Sequence, residues 1–219
     1  MFETPQALYL LEMLIFGSVV FMHLSRKSDM AVVLYVVQSL AVVTLLYGSS
    51  VFSFSAILLV AALATLAVKV IFAPYFFHRL IGKHHLTFSA SSYVSMPVTL
   101  AILAIVTAVA YSPYFAPLAA LAPENGKALL LAFAAMGLSL FLAVNRKGVL
   151  SQMIGILSME NALVSFAFIA GLEQAASLQI AVLFDITVWV AIAGIFASMI
   201  YGHFGTSDAA AAMHTLTED

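Results

Sequence analysis

The feature that most constrains this sequence is a series of apolar segments, each near the length of about 20 residues that a helix needs to cross a bilayer. Of the 219 residues, 64% are hydrophobic and 8% are charged, whereas a soluble domain is about half apolar and about a quarter charged. Open strands in hydrocarbon would leave backbone groups unpaired, and the segments lack the alternation of an outer-membrane barrel. The sequence therefore predicts an all-α, polytopic membrane protein.

We predict about seven transmembrane helices separated by short polar or Gly/Pro-containing connections. Their predicted bounds are residues 5–24, 30–48, 54–80, 92–112, 127–144, 149–170 and 177–201. The longest break carries three prolines and is predicted to be an external connection. The chain then divides into an N-terminal four-helix part at 1–112, the connection at 113–126, a C-terminal three-helix part at 127–203 and a polar tail at 204–219.

The distribution of basic residues predicts how the helices are oriented. Basic residues follow the first, third and fifth predicted spans as Arg26, Lys27, Arg79, Lys83, Arg146 and Lys147. The opposite side carries Lys127, with Glu124 and Glu173 nearby. Because cytoplasmic loops are enriched in Lys and Arg, we expect the N-terminus outside, the C-terminus in the cytoplasm and the chain in the inner (cytoplasmic) membrane.

Several ionisable residues interrupt the apolar segments. Glu160 lies near the middle of the sixth predicted span, and Asp185 lies in the seventh. Lys69 lies deep in the third span, and Pro74 predicts a helix kink beside it. A charged residue at the centre of a spanning helix costs about 2.5–3.5 kcal/mol on insertion scales, so these residues require a functional explanation.

One explanation is a proton path through the membrane. We predict that Glu160, Asp185 and Lys69 form it, with Gln38 and Tyr35 as links that carry water. The alternative is that each acid is permanently protonated or ion-paired and serves assembly, while Lys69 extends its ammonium group toward the membrane surface. Residue types and spacing leave both explanations open.

Glu12, Asn161 and His78 are further candidates for the path. Glu12 lies near the predicted outer end of its helix, where it serves either the bundle or the membrane surface. Asn161 follows Glu160 directly in the sequence. His78 belongs to a group of histidines at the predicted inner surface, which are either solvated or, together with His23, ligands of a b-type haem.

The C-terminal third of the chain resembles a known family. The segment MIGILSMENALVSFAFIA, followed by VLFDITVWVAIAGIF and HFGTSDAAAAMHTL, is similar to the membrane component E of hydrogenase-4 and related formate hydrogenlyase complexes. The resemblance is most specific over residues 145–216. More distantly, the last three spans resemble the K subunit of complex I and the C subunit of Mrp antiporters. One complex I glutamate falls on Asp185, whereas the other falls on Leu157, one helical turn before Glu160.

The resemblance implies a non-catalytic membrane subunit of a redox-driven, ion-pumping complex. Its implied partners are antiporter-like membrane subunits, a quinone- or hydrogenase-module membrane anchor and soluble hydrogenase and iron–sulfur subunits, with no nucleic acid. The [NiFe] and iron–sulfur centres are expected in those partners and no cofactor in this chain, which contains no cysteine.

Three other functions are alternatives to this one. The first is a structural scaffold between the antiporter-like and hydrogenase modules. The second is the b-haem membrane anchor, and the third is a retinal-binding pump. A retinal pump binds its chromophore through a lysine in the last helix, whereas the last predicted span contains no lysine.

The predicted topology can be tested with reporter fusions. We expect fusions in the connection at Arg146 to report a cytoplasmic location and fusions in the segment 113–126 to report an external one, because Lys and Arg are retained on the cytoplasmic side. A periplasmic signal at Arg146 would contradict the predicted orientation.

Overall fold

The computed structural model describes residues 5–25, 27–52, 56–84, 92–172 and 194. Within these residues the chain forms helices and no strand, apart from an isolated bridge between Ser92 and Arg146. The described part is therefore all-α, as the sequence predicts. Asp185, the predicted span 177–201 and the tail 204–219 lie outside the described residues.

Eight α-helices are described, together with one π-helical segment and one 3-10 turn. In chain order these are α1 Pro5–Leu24, α2 Ser28–Phe52, α3 Ala56–Thr65, the π-helical segment Leu66–Phe72, α4 Ala73–His84, α5 Met96–Ala110, the 3-10 turn Pro113–Phe115, α6 Ala116–Ala119, α7 Gly126–Asn145 and α8 Val149–Ile169. The segment from α3 through α4 forms one long helical run.

Five stretches of the described chain are long and apolar enough to cross a membrane: Pro5–Leu24, Asp29–Val51, Leu58–Arg79, Gly126–Asn145 and Val149–Ile169. A sixth is obtained if α5 and the segment Pro113–Ala119, which bend by 48° relative to each other, count as one span. These stretches correspond to the first six predicted spans, although α5 begins later than its predicted bound.

The outer faces of the helices are apolar as well as the inner ones. Leu10 and Phe21 of α1 are each 60% exposed, and Val144 of α7 is 66% exposed. A helix that is apolar on all sides suits either a large protein core or a bilayer. Since these side chains lie on the outside of the bundle, the hydrocarbon of a membrane is the environment that matches them.

The interior of the bundle joins both predicted parts of the chain. One buried apolar cluster includes Met22 of α1, Val32 of α2, Phe77 of α4, Leu142 of α7 and Ile154 of α8. The helices α7 and α8, joined by a short connection, pack against each other most extensively. Helix α8 also packs against α2, and α7 packs against α1, so the C-terminal helices help to form the core of the N-terminal ones.

Arg146 fastens the connection between α7 and α8 to the end of α1. Its Nη2 atom donates to the carbonyl oxygens of Met22, His23 and Ser25 at 3.1, 2.6 and 3.1 Å. Carbonyl groups at the end of a helix lack intrahelical partners and carry partial negative charge, so a guanidinium group stabilises them. Arg146 thus has a structural role in addition to the topological role that the sequence predicts.

Gly155 allows α8 to approach α7 closely. A Cβ atom at this position would lie 2.6 Å from the Ala143 nitrogen and 2.8 Å from the Ala143 Cα, both of which belong to the backbone of α7. Small residues at helix contacts allow such packing in membranes, where association depends on van der Waals contact rather than on exclusion of water.

We expect Gly155→Ala to destabilise the protein by about 1–3 kcal/mol, because the added methyl group forces the two helix backbones apart. Gly17→Ala in α1 is the matched control, since a Cβ there has no atom within 4 Å. The control should be neutral or stabilising by up to about 1 kcal/mol. Thermal denaturation of both variants in detergent measures the difference; equal stabilities would contradict the close packing.

Candidate functional site

A π-helical segment positions Lys69 inside the bundle. At the end of this segment, Ala73 donates its amide hydrogen to the carbonyl of Val68, five residues back. The next residue, Pro74, has no amide hydrogen and cannot continue a regular α-helical ladder. The break predicted at Pro74 thus takes the form of a wider turn. Such turns are rare and frequently occur at functional sites, since the extra residue redirects the side chains around it.

The ammonium group of Lys69 faces α8, where it forms an ion pair with Glu160 Oε2. It also donates to Asn161 Oδ1 at 2.8 Å. The Lys69 side chain is 1% exposed and that of Glu160 is 15% exposed. An ammonium group has three donors, which lets Lys69 reach two consecutive residues of one helix. The predicted interior lysine therefore faces an acid of its own chain.

The amide of Asn161 extends these contacts to α2. Its Nδ2 atom donates to Gln38 Oε1 at 3.3 Å and to Ser39 Oγ at 3.0 Å. Gln38, Ser39 and Asn161 are fully buried. We refer to Lys69, Glu160, Asn161, Gln38 and Ser39 as the central network, which joins the π-helical segment, α2 and α8.

Two serines continue the polar contacts from the central network to α7. Gln38 Nε2 donates to the backbone carbonyl of Ser158 at 3.5 Å. The hydroxyl of Ser158 in turn shares a hydrogen bond of 2.9 Å with that of Ser139. Both serines are fully buried. Buried hydroxyl groups of this kind serve packing between membrane helices as readily as they serve ion transfer.

Buried polar side chains recur along one face of α8. Ser151, Ser158, Asn161 and Ser165 follow one another at intervals of seven, three and four residues, and all four are fully buried. These intervals place them on one side of a helix with 3.6 residues per turn. The sequence analysis selected Asn161 but missed the serines, although their spacing is visible in the sequence.

The predicted path also includes Tyr35, which interacts electrostatically with Glu160 of the central network, and Asp185. Tyr35 is fully buried and its ring packs edge-on against Phe77, with 6.2 Å between ring centroids. Its hydroxyl has no hydrogen-bond partner among the described residues. Asp185 lies beyond those residues, and its place relative to Glu160 stays a prediction.

Glu12 is buried at a separate position. It is fully inaccessible, and its Oε1 atom accepts a hydrogen bond from Ser165 of α8. The carboxylate of Glu12 therefore points into the bundle rather than toward the membrane surface, which was the alternative considered from the sequence.

The two histidines considered as haem ligands occupy unlike environments. His23 is 2% exposed, stacks on Phe141, and its Nε2 atom lies 3.0 Å from the carbonyl oxygen of Leu138. The side chain of His78 is 53% exposed and lies 3.6 Å from the carboxylate of Asp29. In the described part of the chain, no group of three or more His, Asp or Glu side chains is placed to hold a metal ion.

The Lys69–Glu160 pair has a chemistry that suits proton transfer. If one proton passes from the ammonium group to the carboxylate, both groups become neutral and the net charge of the interior does not change. Charged groups in a medium of low dielectric constant are costly unless paired, so each of the two groups stabilises the charge of the other.

Comparisons with known proteins add no relative: no protein-family model matches the sequence, and neither the curated proteins nor the solved structures gave a match. The resemblance of residues 145–216 to component E of hydrogenase-4 accordingly stays a prediction.

We expect Lys69→Met to destabilise the protein by about 3–5 kcal/mol, because it leaves Glu160 buried without its counter-charge. The double variant Lys69→Met/Glu160→Gln should recover a large part of this loss, since no unpaired charge remains. Lys127→Met removes an exposed lysine and serves as the control for loss of a positive charge. Denaturation of the wild type, Lys69→Met, Glu160→Gln and the double variant gives the coupling energy. Additive effects of the two substitutions would show that the pair is not coupled.

Proposed function

We propose that this chain is a membrane subunit of a redox-driven, ion-pumping complex of the hydrogenase-4 or formate hydrogenlyase type, in which it contributes intramembrane acids to proton translocation. The observation that carries the proposal is the buried Lys69–Glu160 ion pair at the centre of the helix bundle. Ionisable residues inside a membrane are costly and usually mark ion pathways, proton relays or counter-ions.

The side chains of the central network suit the transfer of a proton better than the binding of a metal cation. The positive charge that compensates Glu160 is already supplied by Lys69. A metal ion at the same carboxylate would have to displace this ammonium group or be repelled by it. Hard cations also require about six or more oxygen ligands, whereas the other members of the network are one hydroxyl and two side-chain amides.

Buried polar atoms that lack partners indicate where water can extend the path. Among the described residues, the hydroxyls of Tyr35 and Ser151 have no hydrogen-bond partner. Both residues precede the central network in their helices, whose N-terminal ends are predicted to face the cytoplasm. Internal water molecules typically satisfy such groups, and ordered water can relay protons between side chains too distant to touch. We propose that Tyr35 and Ser151 line the cytoplasmic half of the path.

The assignment to a complex is supported by the resemblance and by the composition. The chain has no cysteine for iron–sulfur ligation, so electrons are expected to travel through partner subunits. The partners proposed are antiporter-like membrane subunits, a hydrogenase- or quinone-module anchor and the soluble redox subunits. In this arrangement the redox reaction changes the energy of the proton at Glu160 without any redox centre in this chain.

The proposal is tested with neutral substitutions in the intact complex. Glu160→Gln and Asp185→Asn preserve size and most hydrogen bonding while removing titration. We expect each to reduce proton translocation by about tenfold or more, with assembly and redox turnover retained, because a positioned proton-transfer group contributes at least this much. The matched control is Asp29→Asn, which neutralises a carboxylate whose side chain is 72% exposed.

The same experiment separates the relay from a scaffold. If the acids serve assembly alone, the neutral variants should assemble and pump normally. Glu160→Ala and Asp185→Ala complete the comparison, since they remove hydrogen bonding together with titration. Unchanged proton movement in all four variants would favour the scaffold function and would remove Glu160 from the proposed path.

A further inference from the structure

Glu12 is a second buried acid whose surroundings differ from those of Glu160. Its Oε1 atom accepts a hydrogen bond from the hydroxyl of Ser165, while Oε2 has no hydrogen-bond partner in the described part of the chain. The ion pairs of the described residues join Lys69 to Glu160 and His78 to Asp29, and neither includes Glu12. Among the described residues, Glu12 thus has no counterpart of the cation that stabilises the central acid.

A cleft opens one helical turn away from Glu12. It has a volume of about 280 Å³ and lies where α1 begins, α2 and α8 end and α7 begins. We refer to it as the terminal cleft; it is lined by Leu8, Leu11, Leu45, Gly48, Ser49, Glu124, Asn125, Phe168 and Ile169. Leu8 precedes Glu12 by four residues, and Phe168 follows Ser165 by three. The Glu12–Ser165 contact therefore lies one turn below the lining of this cleft.

Ser165 also places Glu12 within reach of the central network. Ser165 and Asn161 are four residues apart on the buried face of α8, which corresponds to about 6 Å along the helix axis. Asn161 contacts Lys69 directly. From the terminal cleft inward, the buried polar side chains of this face thus come in the order Glu12 with Ser165, then Asn161 with Lys69 and Glu160.

We propose that Glu12 and Ser165 form a second proton-binding site, which passes protons between the terminal cleft and the central network. This inference rests on the proposed function, because it requires the central network to conduct protons. Its ligand is a proton delivered by water in the terminal cleft, and the exposed Glu124 at the rim attracts cations to that opening.

The geometry fits a carboxylic acid that holds and releases a proton. An ionised carboxylate has two acceptor oxygens, whereas Glu12 is offered one hydroxyl donor. An unpaired charge in an apolar interior is costly, so the proton is best held on Oε2. Among the described residues, the phenol of Tyr111 interacts electrostatically with Glu12 and with Tyr9, and neither phenol is a cation. Water from the terminal cleft is then the partner that exchanges the proton.

The test compares Glu12→Gln with Glu160→Gln in the intact complex reconstituted in vesicles. We expect Glu12→Gln to reduce proton translocation by about tenfold or more while the complex stays assembled and redox-active. Asp29→Asn, at the opposite end of the bundle, is the control. If Glu160→Gln blocks translocation and Glu12→Gln does not, the second site is wrong and the proposed function stands. If neither variant has an effect, both are wrong, and an effect of Glu12→Gln alone also contradicts a site in series with Glu160.

Infrared difference spectroscopy gives a readout independent of pumping. The C=O stretching band of a protonated carboxyl group should disappear in Glu12→Gln, persist in Glu160→Gln and shift in Ser165→Ala, which removes the hydrogen bond to Oε1. A spectrum unchanged by Glu12→Gln would overturn the proposal. If Glu12→Gln fails to assemble, Ser165→Ala takes its place in both measurements, and normal translocation with an unshifted band contradicts the site.

Discussion

The Lys69–Glu160 ion pair is the interaction on which the interior of this bundle depends. Either charge alone would be costly in an apolar interior, so the helices that carry Lys69 and Glu160 must pack with these two side chains at the same depth. Asn161 and Gln38 then satisfy the remaining hydrogen bonds, and this requirement brings α2 to the same place. The polar contacts thus define the register of three helical elements, whereas the apolar contacts around them would tolerate small displacements.

The sequence predicts the long apolar helices of the described residues but not which of their faces contact each other. Apolar length predicts each span, and the charge of Lys69, Glu160 and Glu12 shows that these side chains need an explanation. Hydropathy does not show which helix faces contact each other, because those contacts depend on how the helices pack. The sequence analysis therefore placed Glu160, Asp185 and Lys69 in one path without showing which side chains contact each other, and the described residues show the contact between Glu160 and Lys69.

Some local features are visible in the sequence but were missed in its analysis. The serines of α8 repeat at helical spacing on the face that carries Asn161, and their burial follows from that position. Arg146 was interpreted through its charge alone, while its contacts to three carbonyl groups of α1 and its linker depend on the ends of two distant helices coinciding. A break at Pro74 was predictable from its missing amide hydrogen. The π-helical turn that carries Lys69 was not predictable, because a helix can accommodate a proline in several different backbone conformations.

The two described acids in the bundle show how the surroundings of a glutamate decide what balances its charge. Glu160 is balanced by the ammonium group of Lys69, so a proton can pass between the two groups without a change in their net charge. Within the described part of the chain, Glu12 has one hydroxyl partner and no counter-charge, so an ionised Glu12 would be less well stabilised than Glu160. In the proposed path, a proton that leaves Glu12 uncovers a carboxylate that has no counter-charge among the described residues. The ionic Lys69–Glu160 pair would take that proton up on Glu160, which leaves the ammonium group of Lys69 uncompensated until a proton is released from the pair.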